Sequence, residues 1–184
     1  MIRKLFAALV VGVASLGGVA LAADLKSGPQ VGEDVPGPFH PFNVNGEDAG
    51  KKACLYCKAG DSPVVAIFAR SADNAALKKL ITTIEEVAAK NPKVELNTFA
   101  VFCSNNDRLE SELKAFAEKA NLKNVVLAIE EPAGPEKYNI NRDAEVTVVL
   151  YKERVVRANH SFAKGKLTEK DIETVSAEIG KLVK

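Results

Sequence analysis

Pro63-Val-Val-Ala-Ile-Phe-Ala69 is the stretch from which the rest of the chain can be ordered. Six apolar residues follow a proline, three of them β-branched (Val64, Val65 and Ile67). No polar residue alternates with them, so the run predicts a strand buried on both faces, as in the centre of an α/β sheet. Immediately downstream the period changes. Leu77, Leu80, Ile84 and Val87 recur at helical spacing within 73–90, and Asn91-Pro92 stops that helix, because a residue before proline is pushed out of the α region.

Working outward, Val94 to Cys103 predicts a second strand. Asp107 reads as the N-cap of a second helix, with Glu110 at capping-box spacing and Leu109, Leu113, Phe116 and Ala120 on its apolar face. Asn121 can end it. Val125–Ile129 is a third strand, and Glu131-Pro-Ala-Gly-Pro135 is a turn segment. Glu145–Tyr151 and Arg154–Ala158 read as a hairpin joined through Lys152-Glu153. Thr168, with Asp171 three residues on, opens a last helix that buries Ile172, Val175, Ile179 and Leu182. Upstream of Pro63, Phe39–Val44 is a short strand ended by Asn45-Gly46. A hairpin return through Lys52–Cys57 is expected, broken at Gly60-Asp61. Prolines at 29, 36, 38 and 41 make residues 23–38 an irregular lead-in to a domain expected over 39–184. Strands separated by helices of this length imply right-handed parallel crossovers, and the closing hairpin adds antiparallel strands. The expected class is α/β: a mixed sheet flanked by helices on both faces, with an N-terminal β-hairpin extension.

The first residues carry a separate message. Arg3 and Lys4 precede an apolar run from Leu5 to about Ala22 that has no acidic residue and ends Ala20-Leu21-Ala22. That is the form of a secretory signal peptide, residues 1–22. The alternative is an uncleaved membrane anchor, which Gly12, Gly17 and Gly18 weaken. The expectation is export to a periplasm or to the outside, with membrane contact only through this segment. The chain has 25 basic and 24 acidic residues; without Arg3 and Lys4 the basic count falls to 23. Such a balance offers no basic field for nucleic acid. No sequence signal points to a cofactor.

The order of elements resembles the thioredoxin-like superfamily, and more closely its exported thiol-disulfide reductase and peroxiredoxin branches. The likeness rests on Pro63–Ala69, on Val146-Thr-Val-Val-Leu-Tyr151, on the hairpin at Phe39–Cys57 and on the extra strand Val125–Ile129. It implies a thioredoxin-like fold over about Val31–Val183. It also implies a catalytic cysteine just after the first central strand, where a helix N-terminus lowers a thiol pKa, and a cis-proline before the strand that holds Thr147. This chain has Arg70-Ser-Ala-Asp-Asn74 at the first place and Val146 at the second. The family's catalytic positions therefore carry over to no residue here.

Chemistry must come from elsewhere. Cys54-Leu-Tyr-Cys57 is the main candidate: two cysteines at this spacing can close a small disulfide and reopen it by exchange, and Lys51, Lys52 and Lys58 flank them. Three readings are open for the pair: a redox couple acting on a partner protein's thiol or disulfide, a structural staple in a non-catalytic binding module, or two ligands of a metal site. The metal reading lacks ligands at a recognised spacing, although His40, His160 and Cys103 are in the chain. If the hairpin is right, the pair is expected away from the carboxyl edge of the sheet. Cys103, at the end of the second strand, reads either as a reactive thiol near Ser71 and Asp73 or as a small buried hydrophobe. Ser71, Asp73 and Asn74 read as helix-capping residues. His160, after a strand, reads as a partly exposed hydrogen-bonding residue.

Overall fold

A computed structural model describes residues 25–184; the expected signal segment lies outside the described residues. In chain order the elements are β1 (Phe42–Asn43), α1 (Leu55–Ala59), β2 (Val64–Ala69), α2 (Ala75–Lys90), β3 (Asn97–Cys103), α3 (Leu109–Lys119), β4 (Val125–Glu130), β5 (Ala144–Lys152), β6 (Val155–Ala163) and α4 (Glu169–Leu182). The strands form one six-stranded mixed sheet in the order β1-β4-β3-β2-β5-β6. β2 is central and fully buried, as its unbroken apolar run requires. It pairs in parallel with β3 and antiparallel with β5.

Sheet order explains how the helices distribute. The chain steps from β2 to β3 to β4 in one direction, so two right-handed crossovers put α2 and α3 on the same face. α4 joins them there: Leu77, Leu80 and Ile84 of α2, Leu109 and Leu113 of α3, and Ile172, Val175 and Ile179 of α4 share one core with Val65, Ile67 and Ala100. Each of the buried leucine, isoleucine and valine side chains among them contributes about 1.5–3 kcal/mol of transfer free energy. The opposite face carries a thinner cover. Val64, Ala66, Phe68, Phe99 and Val101 pack there against Phe39, against Leu55 and Ala59 of short α1, and against Tyr138 and Ile140 from the loop before β5. Phe39 and Tyr138 meet edge to face at 5.1 Å. The Tyr138 hydroxyl donates to the Gly37 carbonyl at 2.6 Å.

The lead-in is irregular but well anchored. Buried Ser27 shares a 2.6 Å hydrogen bond with Thr147 on β5, and Asn159 donates to the carbonyls of Ser27 and Pro29 at 2.8 Å. Residues 32–35 then run along the free side of β6, through Val35 N–H to the Arg154 carbonyl and Val156 N–H to the Glu33 carbonyl.

Several local expectations need correction. β3 begins at Asn97 rather than Val94, because the chain turns through residues 91–96 before reaching the sheet. Asp107 is not the N-cap of α3. Arg108 occupies that place without a side-chain cap, and the Asn106 carboxamide accepts the Arg108 N–H instead. The β5–β6 turn is made by Glu153 and Arg154, both at positive φ, one residue later than Lys152-Glu153. Both strands of that hairpin are longer than expected. The Thr168–Asp171 capping box is present as expected. Asn121, at φ 50°, ends α3, with Leu122 N–H bonded to the Ala117 carbonyl.

Candidate functional site

The N-terminal hairpin forms, but its return leg is short. Asn43 donates to the Lys51 carbonyl, Gly50 to Asn43 and Ala53 to Pro41, with Phe42 bridged to Lys52. The leg ends there. Cys54 has the extended backbone of an N-cap (φ −82°, ψ 102°), and Leu55–Ala59 is helical rather than strand. Leu55 and Ala59, four apart and so on one face of the helical turn, both reach the core on the thinly covered face.

The switch places both cysteines at the first turn of α1, joined as a disulfide with Cα atoms 5.3 Å apart. Cys57 is exposed and Cys54 half-buried. The Cys57 N–H donates to Cys54 Sγ at 3.0 Å, so one sulfur of the pair sits against a fixed donor. The lysines expected to favour thiolate are not equivalent. Lys58 is bound to Asp48 and Glu47, hydrogen bonds that raise its pKa and hold its charge on those carboxylates rather than on the sulfurs.

Hairpin register brings a third group to the pair. Phe42 faces Lys52 across an antiparallel bridge, so two residues further along each leg His40 faces Cys54. The His40 ring nitrogen and the two sulfurs lie within 4.8 Å of one another. Spacing along the chain hid this proximity, since His40 and Cys54 are linked only through the hairpin. The Asn45-Gly46 turn signal was the available clue: it predicted a hairpin, but not the register that decides which residues face each other.

Contacts beside the pair lie towards the β5–β6 turn: the Arg154 guanidinium sits 5.3 Å from the centre of the Tyr56 ring, between the two cysteines. β1 runs antiparallel to β4 with Phe42 opposite Ile129, so the Phe42–Lys52 bridge lies near the carboxyl end of β4. Lys52 accordingly lines a cleft with Ser104, Asn105 and Glu130.

The position after β2 holds no thiol chemistry. Asn74 caps α2 by accepting the Leu77 N–H at 3.0 Å, and its amide donates to Glu145 at 2.9 Å. The Ser71 hydroxyl accepts the Asp73 N–H. Arg70 reaches across to the carbonyls of Pro132, Ile140 and Asn141, fixing the loop before β5. There is no cis peptide among the described residues, and Val146 stands where the fold's cis-proline would be. Cys103 lies beside Arg70 and Glu130, 3% exposed, beneath Gly134 and Ile140. Burial pushes its thiol up to about 11, the nearby Arg70 charge notwithstanding. His160 bonds Glu178 at 2.6 Å and stacks on Phe162, so neither histidine joins Ser71.

No protein-family profile matches the chain, and no curated protein does. Solved structures do. One is a candidate protein disulfide isomerase from Bacteroides thetaiotaomicron, with TM-score 0.65 and 17% identity over 86% of this chain and 94% of that one. A thiol peroxidase from Chromobacterium violaceum gives TM-score 0.60 and 14% identity over 86% and 90%. A secreted disulfide oxidoreductase from Mycobacterium tuberculosis gives 0.55 and 13% over 78% and 95%. The fold is thioredoxin-like, with neighbours among thiol-disulfide oxidoreductases and peroxiredoxin-like proteins.

Proposed function

We propose that the chain is an exported thiol-disulfide exchange protein whose redox couple is Cys54–Cys57. One observation carries the reading: the disulfide lies at an accessible surface turn, outside both cores, with Cys57 open to a partner and Cys54 Sγ already held by a backbone N–H. A partner thiolate attacks exposed Cys57 Sγ, the sulfur–sulfur bond breaks, and its electron pair leaves on Cys54 as a thiolate that the Cys57 N–H stabilises. A second partner thiol then displaces Cys57 from the mixed disulfide, so two electrons pass to the pair and the partner leaves oxidised. The reverse sequence, with Cys57 attacking and Cys54 resolving, reduces a partner disulfide. Cys103 supplies no thiolate to this chemistry, because burial keeps it protonated. Export is supported by the N-terminal charge and apolar pattern and by the secreted oxidoreductase among the neighbours. No helix among the described residues is long and apolar enough to cross a membrane.

The competing view is a staple in a binding module. Equilibration in graded thiol redox buffers, followed by alkylation and mass measurement, separates the two. An exchange couple opens at a potential between about −270 and −120 mV, whereas a pair that opens only below about −300 mV is structural.

A further inference from the structure

Reduction of the pair changes what the hairpin can bind. The disulfide consumes both sulfurs, but after two electrons and two protons are taken from a partner dithiol, Cys54 and Cys57 become free thiols beside the His40 ring. We propose that this reduced triad, Cys54 Sγ, Cys57 Sγ and one His40 ring nitrogen, binds a single thiophilic cation of the zinc class, so that the site is a redox-gated metal site. The inference rests on the pair being reducible, as the exchange reading holds.

Geometry favours it. In a tetrahedral zinc site sulfur and nitrogen ligand atoms lie about 3.5–3.8 Å apart. The three atoms here already lie within 4.8 Å of one another, and the cysteine Cα atoms are 5.3 Å apart. Opening the sulfur–sulfur bond and turning the side chains suffices. Binding balances simply: two thiols lose their protons, their two negative charges neutralise the divalent ion, and neutral imidazole completes the set. The Cys57 N–H on Cys54 Sγ is a ready outer contact for a ligating thiolate. Lys58, the nearest flanking cation after Cys57, has its charge held by Glu47 and Asp48 rather than free to oppose the ion. Three protein ligands leave one position open, and His40 and Cys57 are exposed, which is the arrangement of an exchangeable rather than a closed structural site. Oxidation of the pair would expel the ion.

The test uses the full chain, reduced with dithiothreitol, freed of reductant without oxygen, and checked for free thiols by alkylation mass. Cobalt(II) is added as the spectroscopic probe and then displaced by zinc. The expected result is one ion per reduced chain, with thiolate-to-cobalt charge transfer and the intense visible bands of tetrahedral cobalt, and none in the oxidised chain. Replacing His40→Ala should weaken binding at least about tenfold, a ligand counting for no less than the outer-shell partners whose loss has that effect. Replacing His160→Ala should leave it unchanged. His40 is exposed, so its loss leaves the core intact. A reduced chain that binds no cobalt overturns this inference while sparing the exchange reading. Equal affinity in the His40→Ala protein, or half an ion per chain shared between two copies, overturns it as well. A pair that no exchange-range buffer opens overturns both readings.

Discussion

Reducing Cys54–Cys57 should weaken the fold only slightly, and the small loop sets the size. The two cysteines are 3 apart in sequence, so the cross-link removes little freedom from the unfolded chain. The loop-closure relation gives about 1.5–2 kcal/mol for such a ring at 25 °C, as against ~4.7 for a 100-residue loop. Neither sulfur belongs to a core cluster, so no packing is lost on opening. For a domain of this size the melting temperature should fall by about 3–8 °C. The same difference, by thermodynamic cycle, makes the native pair only about 30–45 mV more reducing than it would be in the unfolded chain. Urea unfolding of the oxidised and phosphine-reduced protein measures it directly. A loss above ~4 kcal/mol, or unfolding on reduction alone, would refute the reasoning and mark the bond as a staple that the hairpin needs.

Two further predictions concern buried and half-buried ionisable groups. Partial burial pushes the Glu85 carboxyl up, but the N–H groups of Val125, Asn124 and Lys123, with the Asn124 amide, outweigh it and hold the group below its usual value. Its contribution is therefore present above the unfolded pKa near 4.5 and is lost as pH falls through the lower folded value; Glu85→Ala should cost about 1–3 kcal/mol at pH 7 and much less at pH 3, read from urea midpoints. Cys103 runs the other way. With its folded pKa raised by burial from 9.0 to about 11, its contribution is complete below pH 9 and lost as pH rises through 11. At pH 8 iodoacetamide should label it far more slowly in the native protein than in urea, and equal rates would show that the thiol is open to solvent.

Where burial decides structure, the sequence was easy to read. The run Val64–Ala69, the apolar faces of α2 and α4, and the Thr168–Asp171 box each carry a period or a cap that admits one solution. Asp107 misled because capping depends on which residue has extended backbone, and Asn106 was an equally good acceptor one place earlier. The site was half legible. Cys54 and Cys57 announce themselves, but the helix they open is set by Leu55 and Ala59 reaching a core that only the folded sheet supplies. His40 was one candidate ligand among several, and only the pairing of Phe42 with Lys52 selects it. His160 and Cys103, equally plausible on composition, are held elsewhere by Glu178 and by Gly134 with Ile140.

One N-terminal segment reaches both edges of the sheet: residues 32–35 lie along β6, Phe39 crosses the face, and Phe42–Asn43 pair with β4. Its contacts span very long stretches of chain, such as Ser27 to Thr147, 120 residues apart, and Gly37 to Tyr138, 101 apart. Closing loops of that length is favourable only when the sheet that receives the segment already exists. The segment thus docks after the sheet that receives it has formed. His40 rides on it but meets Cys54 through its own short hairpin, so the two cysteines and their neighbour reach the sheet as one unit.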